Sequence, residues 1–283
     1  MITALEQAGS DVTLACELLD VSRSGYYRFH QAPPSVRQQE DDCLGKLVKE
    51  TFWLHRRRYG ARRIAQDLAA RGESCGRQRT RKIMGQMGLV AIQPRSFKPR
   101  TTESRHTLGY NDNLLLTASS PTNVNQIWLG DITYIPLPRS YAYLAILMDL
   151  CSRKIVGWTL RDDMTESLVV TTLRNAIRSR QPSPGLVHHT DRGGQYAGKE
   201  YRAILARAAI RQSMSRANNC YDNAFLESCF GKIKTELEMT CYDHFQKAEQ
   251  EIADFINYYN QLRRHSALDY LTPNQYEAQL KTS

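Results

Sequence analysis

At Gln126 the hydrophobic pattern of this chain changes period, and that change limits the folds open to it. Upstream, apolar residues recur at helical spacing. Val12–Leu19 (VTLACELL) is one such segment; Tyr59–Arg71 and Gly76–Met87 are two more, followed by Gly72 and Gly88, which suit helix ends. Downstream come three strand-like runs in succession, QIWLGDITYIPL, YAYLAILMDL and KIVGWTL. A helix over Glu166–Arg180, a fourth strand LVHH and a helix around Lys199–Ala208 follow. A short strand IRQSMS and a helix from Ala224 to Met239 come next. Three sequential strands and then alternation predict a mixed α/β sheet flanked by helices. A last amphipathic helix, Asp243–Leu262, carries Phe245, Ala248, Ile252, Ile256 and Tyr259 on one stripe.

The helical part is strongly basic. The chain of 283 residues has a formal net charge of +9, and Thr51–Arg105 alone holds 14 Lys/Arg against 3 Asp/Glu. Such an excess in segments that keep helical periodicity points to a polyanion, most simply nucleic acid; a solvated basic surface is the plainer alternative. Ile64, Leu68, Ile83, Met84 and Met87 are expected to form the core there, while Arg62, Arg63, Arg77, Arg79, Arg81 and Lys82 are the candidate DNA contacts. Ahead of this segment, Asp20-Val21 interrupts the first helix and Ser22 can cap a second, SRSGYYRF, as in a helix-turn-helix. The expected organisation is a helix-turn-helix over 1–32, a second helical DNA-binding module over 40–94, a basic linker over 95–122 and the α/β part over 123–283. The longest apolar run, Tyr141–Met148, falls far short of the roughly 20 residues of a membrane helix. The N-terminus shows no secretory pattern, and the seven cysteines include no CxxC pair. A reducing, cytoplasmic setting with no membrane association is the expectation.

Three carboxylates occupy unusual places. Asp131 lies inside the first strand among Trp128, Ile132, Tyr134 and Ile135, and Asp191 ends the fourth. Glu227 sits on the following helix among Phe225, Leu226 and Phe230. An ionised carboxylate near a core is costly unless paired or bound to a cation. Arg139, Arg192 and Arg216 could each neutralise one of them; a metal site shared by all three is more economical. Oxygen ligands without a His/Cys cluster favour Mg²⁺ or Mn²⁺ over zinc. Two such ions about 3.5–4 Å apart suit phosphodiester chemistry, activating the attacking oxygen and stabilising the leaving one. Other polar residues have plainer expectations. Asp149, beside Ser152-Arg153, is expected to be structural; Asp222-Asn223 are cap residues, with Asn223 also placed to orient the site loop. Gly193-Gly194 suit a turn. Arg263, Arg264 and His265 could bind phosphate or face the C-terminal dipole of the last long helix.

Order and spacing then carry a resemblance. Thirty-five residues separate Asp191 from Glu227. The words WLGDITYI (128–135), DLCSRKIVGW (149–158), HHTDRGGQY (188–196), SRANNCYDNAFLESCFGKIKTE (215–236) and YNQLRRHSALDYLTP (259–273) occur in order. Together they resemble the OrfB transposases of bacterial insertion sequences of the IS-three family, which share the DD(35)E signature and RNase H-like core of retroviral integrases. The resemblance covers nearly the whole chain. It implies an RNase H-like mixed five-stranded sheet flanked by helices, preceded by all-α helix-turn-helix modules. It also implies that Asp131, Asp191 and Glu227 are catalytic ligands of two Mg²⁺ or Mn²⁺ ions. The implied activity is cleavage and strand transfer at terminal inverted repeats, by a homo-oligomer on element-end and target DNA. A partner or fusion from an upstream reading frame is implied as well. Lys234, seven residues after Glu227, becomes a DNA contact, and Gly231 leaves the intermediate position without one. His189 matches the family histidine before the second aspartate, and is expected to support the Asp191 loop or touch substrate, with a satisfied structural histidine as the equal alternative. A nuclease that hydrolyses without joining, and a DNA-binding regulator with a decayed catalytic domain, are the alternatives.

Overall fold

The structure, a computed structural model, describes residues 1–93, 111–116, 119–215, 224–237 and 242–282, with the helix backbone alone over 224–227. It divides into two compact units, Met1–Val90 and Ala91–Ser283. The first is helical: α1 (Ile2–Gln7), α2 (Val12–Leu18), α3 (Arg23–Gln31), α4 (Val36–Leu54), α5 (Ala61–Ala70) and α6 (Arg77–Gln86). Side chains cap α2, α3 and α4, whose first-turn N–H groups lack helical partners. Asp11 accepts from Thr13 N, Ser22 from Gly25 N and Ser35 from Gln38 N. Ile2, Ala15, Cys16 and Tyr26 form the small core of α1–α3. The 19-residue α4 lies outside the sequence expectation because charged residues crowd it. Its buried Leu44, Val48 and Phe52, spaced four apart, are the stripe that marks it. Ile64 and Leu68 of α5 and Ile83 and Met84 of α6 are buried as expected, whereas Met87, just past the end of α6, is 40% exposed.

The second unit is a five-stranded mixed sheet. Its strands are β1 (Ile127–Pro136), β2 (Tyr141–Asp149), β3 (Ile155–Arg161), β4 (Val187–Thr190) and β5 (Arg211–Met214). They lie in the order β3-β2-β1-β4-β5, antiparallel between β1, β2 and β3 and parallel between β1, β4 and β5. Strand alternation sorts the apolar residues onto two faces. Trp128, Ala145 and Leu147 pack with α7 (Glu166–Arg180) and α8 (Lys199–Arg207). Ile127, Leu129, Ile135, Leu144 and Ile146 pack with α9 (Ala224–Glu236) and α10 (Phe245–Gln261). A final helix, α11 (Pro273–Thr282), also lies outside the sequence expectation. Among the described residues no helix is long and apolar enough to cross a membrane.

Buried charges hold these layers in register. Asp149 is fully buried and accepts hydrogen bonds from Asn125 N (2.6 Å), Cys151 N (2.9 Å) and Ser152 N (3.0 Å), which gives it the structural role expected. Glu277 of α11 takes a two-pronged contact from Arg180 (2.7 and 2.9 Å), with Lys154 and Ser152 beside it. Arg263, 1% exposed, donates to Glu236 at the end of α9. Its guanidinium is therefore turned into the protein, and neither a phosphate nor the α10 dipole is its partner. His188 is equally enclosed. The Trp128 carbonyl (3.3 Å) can only accept, so Nδ1 donates to it and Nε2 accepts from the Tyr201 hydroxyl. Gly130 makes room for this ring: a Cβ there would stand 2.7 Å from His188 Cε1 and 2.9 Å from Leu147 Cδ2.

Two outcomes test this frame. Arg263→Met strands the buried Glu236 carboxylate and is expected to cost about 3–5 kcal/mol of stability, while Arg263→Met/Glu236→Leu recovers most of the loss. Denaturant unfolding of both variants measures the difference. Burial holds the His188 imidazole down to about 4, below its ordinary value. The unfolded chain therefore binds that proton from about pH 6.5 downward while the fold resists it. Its contribution is intact above pH 6.5 and fades as the pH falls toward 4, by about 3 kcal/mol in all. Unfolding free energies measured across this range should decline less steeply in His188→Gln than in the parent chain.

Candidate active site

The site begins with one parallel pairing. Leu129 lies opposite His189 and Gly130 opposite Thr190, so Asp131 and Asp191 each follow directly on the last paired residues of the β1–β4 ladder. Alternation puts Asp131 on the same face as Leu129, the face that α9 covers through Cys229, Phe230 and Ile233. Both aspartates are half-buried. Asp131 Oδ1 accepts from Ile132 N (2.8 Å), and Asp191 Oδ1 accepts from Gly193 N (2.9 Å). The strand stops at Thr190, one residue before Asp191, and Gly193 lies close behind the carboxylate. A Cβ on Gly193 would approach Asp191 Oδ1 to 3.0 Å.

Two neighbours report the local field. Tyr196 is buried, and its phenol is raised well above the ordinary tyrosine range, first by burial and then by the charges of Asp131 and Asp191. A single hydroxyl thus lies within electrostatic reach of both carboxylates. Lys234 on α9 holds its ammonium 4.5 Å from the centre of the Tyr134 ring. Burial pushes that ammonium below its usual range, and Asp131 partly offsets the shift. Tyr196 and Tyr134 are absent from the sequence-based site. The available signal for Tyr196 is its place five residues after Asp191, inside the same loop.

Glu227 falls in the first turn of α9, one turn before Gly231 and two before Lys234. Its side chain, and all of Asn223 and Arg216, lie outside the described residues. His189 is fully buried, its two ring nitrogens within hydrogen-bond distance of Ser213 Oγ (2.8 Å) and Ser215 Oγ (3.1 Å). It ties β4 to β5 behind the Asp191 loop and has no exposed surface to offer substrate. Arg192 donates to the Ser215 carbonyl (2.8 Å), which holds the same loop from its other side.

The basic module separates its arginines into two groups. Arg62, Arg77, Arg81 and Lys82 are exposed. Arg63 is half-buried, 5.5 Å from the centre of the Tyr59 ring. Arg79 is turned toward α4, where it pairs with Asp41 (2.6 Å) and Glu40 (2.9 Å).

The donor chemistry fits a hard divalent cation. Two half-buried carboxylates follow the last paired residues of β1 and β4 and both act on Tyr196, and the nearby histidines are committed to serine, carbonyl and tyrosine partners. Among the described residues no group of three His, Cys, Asp or Glu is assembled.

The chain is similar to known proteins along most of its length. An integrase core domain model matches residues 121–220, a second model of the same description matches 208–273, and an HTH-like domain model matches 38–97. A 31 kDa protein of insertion element IS600 from Shigella sonnei is 38% identical over 260 residues, 91% of this chain and 95% of that protein. The transposase of insertion sequence element IS904 from Lactococcus lactis is 39% identical, covering 86% of this chain and 97% of its own length. Transposase InsF of insertion sequence IS3A from Escherichia coli is 36% identical over 279 residues, 96% of this chain and 95% of that protein. With an integrase core carried on a parallel β1–β4 pairing and relatives matched along nearly their full length, the chain belongs to the insertion-sequence transposases of the IS3 family.

Proposed function

We propose that this transposase cuts and joins DNA at the terminal inverted repeats of its insertion sequence, using two divalent ions held by Asp131, Asp191 and Glu227. The observation that supports this most is the placement of Asp131 next to Asp191 beneath the helix that carries Glu227. Bound there, Mg²⁺ or Mn²⁺ would lower the barrier by activating the attacking oxygen and stabilising the leaving one. The protein's own part is positional. The β1–β4 pairing leads up to both carboxylates, and His189 and Arg192 brace the loop that carries one of them. Lys234, leaning on Tyr134 beside Asp131, is placed to meet a DNA phosphate and to align the strand. The exposed Arg62, Arg77, Arg81 and Lys82 supply the attraction that brings duplex DNA to the helical unit. Holding two element ends for one joining event calls for more than one copy of the chain on the DNA.

The test uses Asp131→Asn, Asp191→Asn and Glu227→Gln separately, on a duplex bearing the element's own ends with Mg²⁺. Loss of an outer-shell partner of a metal ligand typically lowers activity about 10–100-fold, so loss of a ligand itself is expected to exceed that. End binding should survive in each variant. Strand transfer near the parental rate would remove that residue from the site, and hydrolysis without joined products would favour a nuclease. Lys234→Ala should weaken strand transfer and end binding together, with a shallower dependence of binding on salt, read by anisotropy at several salt concentrations.

A further inference from the structure

Helix α6 has two faces of opposite character. Thr80, Ile83 and Met84 are buried within the module, and Arg79 beside them is committed to Glu40 and Asp41 of α4. At 100° per residue, the other half of the helix presents Arg77, Gln78, Arg81, Lys82, Gly85 and Gln86, all exposed. The side chains on this face are long hydrogen-bonding groups, and none is acidic. Gln78 lies within about 10° of its midline, Arg81 and Lys82 about 50° to either side, and Arg77 and Gln86 at its edges.

Gly85 sits on that midline. A glycine inside a helix weakens it, and a Cβ at Gly85 would meet nothing within 4 Å. No contact inside the unit accounts for a missing side chain there, so the flat spot serves something that approaches from outside. The rival helices are less suited. α5 exposes one cation, Arg62, among Gln66, Ala69 and Ala70. α3 exposes Phe29 at 80% and Tyr27 at 41%.

The geometry points to α6 as the helix that enters the major groove of duplex DNA, with Gln78 and Arg81 reading base edges. Gly85 lets the backbone approach the groove floor, while Arg77 and Lys82 reach the flanking phosphates. Arginine and glutamine are the side chains whose paired donors and acceptors match guanine and adenine edges in that groove. The assignment rests on the reading that this chain acts on its element's ends, and it adds which residues distinguish those ends from other DNA.

Anisotropy with the full chain, in chelator to prevent cleavage, tests it on two duplexes: the element's own ends, and a scrambled sequence of equal length. The parent chain is expected to prefer the ends at least tenfold. Gln78→Ala and Arg81→Ala should lose roughly tenfold or more on the ends and little on the scrambled duplex. Arg77→Ala and Lys82→Ala should weaken both equally and reduce the salt dependence. Gly85→Leu should abolish end preference while holding or raising the thermal midpoint, which a packing role for the glycine would not produce. End preference retained in Gln78→Ala and Arg81→Ala, or in Gly85→Leu, overturns the assignment alone. A parent chain that binds neither duplex overturns both the assignment and the DNA reading beneath it.

Discussion

The pairing of β1 with β4 is the constraint on which the catalytic unit depends. Parallel neighbours need a long connection, here the excursion through β2, β3 and α7. The reward is that two residues sixty positions apart in sequence meet in a fixed register. Backbone hydrogen bonds fix the register as far as Gly130 and Thr190, the residues that precede Asp131 and Asp191.

The third carboxylate is held differently. Glu227 rides on α9, and α9 is anchored at its far end by the Glu236–Arg263 pair and along its length by Phe230 and Ile233 against the sheet. One side of the site belongs to the sheet and the other to a docked helix. Charge is divided in the same manner. Asp149, Glu236 and Glu277 have complete protein partners and serve the frame. Asp131 and Asp191 are half-buried and lie at the ends of the β1–β4 ladder.

Much of this could be read from residues alone. A carboxylate within an apolar strand is conspicuous, and both Asp131 and Asp149 stand out on that ground. Their fates diverge because Asp149 finds two backbone N–H donors in the β2–β3 turn and a third at Asn125 ahead of β1, a closure that linear spacing shows only indirectly. The strands and α7 were legible because their apolar periods are clean. Helix α4 was not, since its stripe of Leu44, Val48 and Phe52 is diluted by charge, and α11 buries only Pro273 and Glu277. Arg263 misleads for a related reason: two basic residues beside a histidine suggest a surface, whereas burial depends on Glu236, 27 residues away. Tyr196 and Arg79 likewise take their roles from partners that only folding brings close.

Gly130 has a further meaning in this light. It lies between Leu129 and Asp131, and the space where its side chain would be is filled from behind by His188, the residue paired with Trp128 on β4. The two strands are thus interlocked by an imidazole inserted through a gap one methyl wide. Any larger residue at that position would meet the His188 ring and Leu147 at under 3.0 Å and press on the β1–β4 pairing that runs up to Asp131 and Asp191. A buried ring on the far face of the sheet thus has a hold on the strand ends where the proposed site lies.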